Sequence, residues 1–81
     1  MGEKSSRRKL SELRPGEIGV VEKFLRAGDQ SIALGEMGLL PGTEVRYIRS
    51  APMGDPLEIE LRGYLLSVRK EEAEAIVVNV E

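Results

Sequence analysis

Leu34-Gly35-Glu36-Met37-Gly38-Leu39-Leu40-Pro41-Gly42-Thr43-Glu44-Val45 contains two stop signals within a few residues. Gly38 reads as the residue just past the end of a short helix, where a left-handed conformation costs nothing without a Cβ. On that register Leu34 is C3 and Leu39 is C″, the two positions whose apolar contact closes a Schellman motif. Pro41-Gly42 then supplies the central pair of a type II turn: proline fixes φ, and glycine takes the positive φ after it. Beyond the turn, Thr43 to Arg49 reads as a strand, with Val45 and Tyr47 pointing one way. A helix end and a strand start are locked together here. The residues before this point lead into the helix, and those after it are sheet.

Working outward, Gln30 to Met37 makes about two helical turns, with Asp29 as the expected N-cap and its carboxylate at the positive end of the helix dipole. Gly35 inside that helix costs on the order of 1 kcal/mol against alanine. Before it, Glu17 to Leu25 reads as a strand in which Ile18, Val20 and Phe24 share one face and Val21 and Lys23 the other. Gly19 marks a bend or bulge there. Arg14-Pro15-Gly16-Glu17 repeats the Pro-Gly turn and launches that strand. Leu10 and Leu13 fit one helical turn closing an end of the core. After the pivot, Ser50 to Pro56 is loop. Leu57-Glu58-Ile59-Glu60-Leu61-Arg62 alternates strictly, three aliphatics inward and three charges outward, as a half-buried antiparallel strand does. Arg62-Gly63 is a two-residue hairpin turn. Tyr64 to Arg69 returns, Lys70 to Ala75 fits one helical turn with Ala73 packing inward, and Ile76 to Val80 is a final strand rich in β-branched residues.

The elements amount to five short strands and one or two helical turns. The expected architecture is mainly β: a small five-stranded SH3-like barrel with a short helix inserted after the first strand, closed so as to remove its edges. At 81 residues the chain is one small domain that buries roughly 60% of the surface its unfolded form exposes. Residues 10–81 form the domain. Residues 1–9 are expected to be a disordered basic tail, because they lack periodicity and carry Lys4, Arg7, Arg8 and Lys9 against Glu3.

The chain's net charge is −2, so the residues beyond that tail carry −5. An acidic body argues against nucleic acid as a partner, since phosphate neutralisation needs a basic face. There is no cysteine and no histidine, which removes disulfides, the usual soft-metal ligands and the usual general base. No apolar run reaches the length of a membrane span, so direct membrane insertion is not expected and the chain reads as cytoplasmic. Glu58 and Glu60 share a strand face but read as a solvated surface interleaved with Arg62. Glu71, Glu72 and Glu74 complement a helix start. Ser31 and Ser67 have no activating base, and no phosphate-binding glycine pattern occurs. No catalytic residue, cofactor site or metal site is expected. What stands out is apolar residues at exposed-looking positions. Leu25, Leu39, Leu40 and Met53 are the candidate partner contacts, although Leu39 also suits packing within the Schellman motif.

Four blocks also succeed one another in the order and spacing of a known family. They are Leu10-Ser11-Glu12-Leu13 with Pro15-Gly16-Glu17, Glu36-Met37-Gly38-Leu39 with Pro41-Gly42-Thr43-Glu44-Val45, Ala51-Pro52-Met53-Gly54-Asp55-Pro56-Leu57-Glu58-Ile59, and Leu66-Ser67-Val68-Arg69-Lys70-Glu71-Glu72-Ala73. From about Leu10 onward the chain resembles the FeoA family. The resemblance implies a small cytoplasmic SH3-like protein of bacterial ferrous-iron uptake. Its implied partner is FeoB, the membrane Fe(II) transporter with a cytoplasmic GTP-binding domain, and its implied role is that of a modulator or assembly factor. Ala33 departs from the family pattern, which has arginine before the leucine, so a charge contact through that position is absent from this chain. Two rival expectations differ in class. One is a regulatory module akin to the C-terminal domain of iron-dependent transcription repressors, which would need a helix-turn-helix ahead of the barrel. The other is a small nucleic-acid-binding barrel. A monomer or weak homo-oligomer is expected.

Overall fold

The alternating segment forms as its pattern dictates. In the computed structural model, which describes residues 6–80, Leu57, Ile59 and Leu61 are buried along one face of a strand, and Glu58 and Glu60 lie on the other. Around it the chain runs β1 (Ser6–Lys9), a 3-10 turn (Leu10–Glu12), β2 (Ile18–Phe24), α1 (Asp29–Glu36), β3 (Glu44–Ser50), β4 (Leu57–Leu61), β5 (Tyr64–Val68), α2 (Lys70–Ala73) and β6 (Ile76–Val80). All six strands belong to one antiparallel sheet in the order β1-β6-β2-β3-β4-β5. The mainly β class with a short inserted helix stands. Two details differ from expectation: there are six strands, and the described sheet does not close, so β1 and β5 are its edges.

The sixth strand is the main correction. Residues 6–9, expected in a disordered tail, are β1 and pair with β6 from Ser6↔Val80 to Lys9↔Val77. Residues 1–5 of that expected tail lie outside the described residues. Composition hides the strand because an edge strand needs no apolar face and is commonly guarded by cations. Arg7 and Arg8 tie it down instead. Arg7 bonds Glu22 on β2 at 2.8 Å, and both Arg8 guanidinium nitrogens donate to the Glu17 carboxylate at 3.2 Å. The Arg14 N–H also donates to Glu17, at 2.8 Å.

That backbone bond, with the Arg8 fork second, holds the Glu17 carboxyl below its ordinary value of 4.5. A depressed carboxylate contributes stability that is fully present above the unfolded value and is lost as pH falls through the folded one. The melting temperature of Glu17→Gln should therefore lie below that of the parent near neutral pH. The gap should close as pH drops below 4.5. Thermal melts of both proteins across that range would check it, and a gap independent of pH would refute the assignment.

A second correction concerns β2. Gly19 and Val21 face inward, while Ile18 and Val20 are exposed. A Cβ on Gly19 would meet the Val78 Cβ at 3.3 Å, so the absent side chain lets β2 close on β6. The expected bulge occurs, but between Val21 and Lys23. The extra residue reverses the alternation, so Phe24 packs against the core while Ile18 and Val20 do not.

At the pivot the local prediction holds. Gly38 has φ +103, and its N–H donates to the Gly35 carbonyl at 3.0 Å while the Leu39 N–H reaches Leu34, also at 3.0 Å. These are the 5→2 and 6→1 bonds of a Schellman motif. The Thr43 N–H closes the next turn on Leu40 at 2.9 Å. At the other helix end Gly28, not Asp29, is the N-cap; its N–H donates to Ser31 Oγ at 3.1 Å, and Asp29 is the first helical residue. The core gathers Val21, Val45, Tyr47, Ile59, Leu61, Val68, Ile76 and Val78 from the sheet, with Leu10, Leu13, Leu34, Leu39 and Ala73 from the turns and helices.

Candidate protein-docking site

The four apolar candidates separate. Leu39 is 0% exposed and belongs to the core. It is corrected here from a partner contact to a packing residue, because the C″ side chain of a Schellman motif folds back over its own helix. Met53 is 92% exposed at the tip of the loop between β3 and β4. Leu40 is exposed just before β3. The seven residues of β3 lie between the two, roughly 20 Å of strand, so Leu40 and Met53 do not share a patch. Leu25 is exposed where β2 ends, and its N–H is pinned to the Ala75 carbonyl at 2.7 Å.

Two further exposed apolar residues meet at the helix end that precedes Leu40. Met37 and Tyr64 are both about half exposed. The Tyr64 hydroxyl, at the start of β5, donates to the Met37 carbonyl and so ties the β4–β5 hairpin to the end of α1. A Cβ on Gly35 would lie 3.2 Å from Leu40 Cδ2. Gly35, which reads from sequence only as a weak point of the helix, gives Leu40 the room to lie on α1. Met37, Leu40 and Tyr64 thus make a ledge floored by Gly35 and Gly38. Glu36 and Arg62 are exposed beside it. Sequence reasoning missed Met37 and Tyr64 because their contact spans 27 residues. The available signal was an odd pair of glycines in one short helix end.

Several of the polar side chains that stand out in the sequence are paired. Glu58 and Glu60 pair with Arg49 (2.8 Å) and Arg46 (4.0 Å) across β3 and β4, rather than with Arg62. The Ser31 hydroxyl is engaged with Gly28. The Glu72 carboxylate accepts the Arg69 N–H at 3.1 Å at the start of α2. Among the described residues no three acidic side chains gather where they could hold a metal ion. No described helix is long and apolar enough to cross a membrane.

Fold and surface together define a small SH3-like β domain carrying an apolar ledge at one helix end. The FeoA domain model matches residues 8–80, and the chain belongs to the FeoA family. A relative from Porphyromonas gingivalis, an Fe(2+) transport protein A/Fe(2+) transporter FeoB fusion protein, is 31% identical over 72 residues. Those residues are 89% of this chain but only 8% of the relative. The solution structure of FeoA from Chlorobium tepidum superposes with a TM-score of 0.85 at 37% identity, covering 90% of this chain and 70% of that one. FeoA from Stenotrophomonas maltophilia, solved with zinc and described as a prokaryotic SH3 domain protein, gives 0.72 at 36% identity, covering 85% and 86%.

Proposed function

We propose that this protein is a non-catalytic accessory factor of Fe(II) uptake. On this reading it docks on the cytoplasmic part of a FeoB-type transporter through the ledge of Met37, Leu40 and Tyr64. The observation that carries the reading is the P. gingivalis relative, in which a matching stretch is fused to FeoB. Fusion makes an encounter between two domains intramolecular and raises their effective concentration, which is useful only if they meet. The ledge supplies a means: exposed apolar side chains at a hydrogen-bonded helix end and at the start of a strand, with charge at the rim. To modulate the transporter, the protein must bind two of its states with different affinity. The absence of histidine and cysteine fits a factor that assists iron transport without holding the ion.

The test is capture of the purified protein by the cognate transporter's isolated cytoplasmic GTP-binding domain, and by the full-length transporter in detergent. A Met37→Asp, Leu40→Asp double variant should bind roughly tenfold more weakly or worse, a loss of about 1.4 kcal/mol or more. Its melting curve should stay close to the parent's, since both side chains are exposed. Met53→Asp, at the far end of β3, should bind as the parent does. Undiminished capture by the folded double variant would overturn the assignment of the ledge. Capture of neither transporter form by the parent would overturn the partner.

A further inference from the structure

The two edges of the sheet are built differently. β1 reads Ser-Arg-Arg-Lys, a charged and guarded edge. β5 reads Tyr-Leu-Leu-Ser-Val, with no charge, no proline and an unbroken register against β4 from Leu57↔Val68 to Leu61↔Tyr64. The turn between β4 and β5 has Arg62 at φ +52 and Gly63 at φ +87, a type I′ hairpin. Leu61 and Tyr64 are therefore a hydrogen-bonded pair, and the alternation leaves the backbone N–H and C=O of Leu65 and Ser67 pointing away from β4. Among the described residues nothing bonds these four groups.

We propose that β5 pairs with β5 of a second copy of this chain, antiparallel, about a two-fold axis at Leu66. In that register Leu65 lies opposite Ser67 of the second copy, and Ser67 opposite its Leu65. All four open backbone groups on each copy are then used, in four hydrogen bonds. The half-buried Leu66 meets its own equivalent, and no charged residue of β5 faces a like charge, because β5 has none. The strand ends also differ in charge. The turn end carries Arg62 balanced by Glu36. The other end carries Arg69 and Lys70 against Asp55, Glu71, Glu72 and Glu74, a surplus of two negative charges. The two-fold brings each Arg62 towards the acidic end of the other copy. A parallel arrangement would stack like ends together. Five-residue strands bury far less than the roughly 1,600 Å² of a standard stable interface, so the dimer is weak and exchanges rapidly.

The inference does not depend on the transporter, and its test contains none. Sedimentation velocity over a wide concentration range should show a monomer passing into a dimer. The amide signals of Leu65 and Ser67 should move with the same concentration dependence. Ser67→Pro should remain monomeric throughout while melting near the parent, because its N–H faces the open side and donates nothing to β4. Leu65→Lys, which charges an exposed position on the edge, should weaken the dimer in the same direction and keeps the test independent of proline. A monomer at every concentration would overturn the proposal. So would self-association that neither variant changes, or Leu65 and Ser67 amides that respond only to another protein's strand.

Discussion

Leu39→Ala should lower stability by about 3 kcal/mol, within the 2–5 kcal/mol that deleting a buried leucine's side chain costs. The side chain is fully enclosed. It sits at a point where the backbone cannot relax freely, because the Leu39 N–H is bonded to Leu34 and the Thr43 N–H to Leu40. A domain of this size shifts its melting temperature by about 4–8 °C per kcal/mol, so a fall of roughly 12–24 °C is expected. With total stability of about 5–15 kcal/mol, a sizeable fraction of the margin is lost. Heat or urea unfolding of the variant beside the parent measures it. The neighbouring Leu40→Asp should melt close to the parent. Loss of partner capture in a Leu39 variant would therefore report unfolding, whereas loss in a Leu40 variant would report contact. A Leu39→Ala melt within a few degrees of the parent would contradict its place in the core.

Gly38→Ala should cost about 2–3 kcal/mol. A non-glycine residue at a positive φ costs of the order of 1–3 kcal/mol, and Gly38 sits at +103. The added Cβ would also lie 2.9 Å from Tyr64 Oη. That oxygen cannot simply swing aside, since it is hydrogen-bonded to the Met37 carbonyl. The two contributions can be separated. Tyr64→Phe removes the oxygen but leaves the backbone demand, so Gly38→Ala should be less damaging in the Tyr64→Phe background than alone. Equal costs in both backgrounds, read from the double-mutant cycle, would assign the whole effect to the backbone.

The parts of this fold legible from sequence are those whose cause is local. The Schellman end, the Pro-Gly turn at Pro41-Gly42, the strand at Leu57–Leu61 and the Arg62-Gly63 hairpin each depend on a few consecutive residues. The parts that escaped depend on residues far apart. β1 is a strand because β6 lies beside it, and its own residues carry no apolar alternation. The inward face of β2 is set by an extra residue at its bulge, and a periodic pattern cannot count that residue in advance. The candidate site shows the same division. Leu40 was visible as an apolar residue next to a turn. Met37 and Tyr64 were not, because a hairpin elsewhere in the chain delivers the tyrosine to the helix end. Leu39 and Leu40 look alike in sequence, and only the direction of the C″ side chain separates them.

The strand order carries a consequence for biosynthesis. Of the six described strands, β6 is the last to leave the ribosome, and it lies between β1 and β2, the first two. While the chain emerges, β2 to β5 can form their hairpins, but β1 has nothing to pair with and β2 lacks its second neighbour. The sheet is completed from its interior only once β6 has been made, by a strand whose contacts are almost all distant in sequence. Such closure is slow for a small domain, since the loop entropy must be met before the contacts form. Until then the apolar face of β2 is open, and nascent chains of this protein are most exposed to aggregation before β6 has been made.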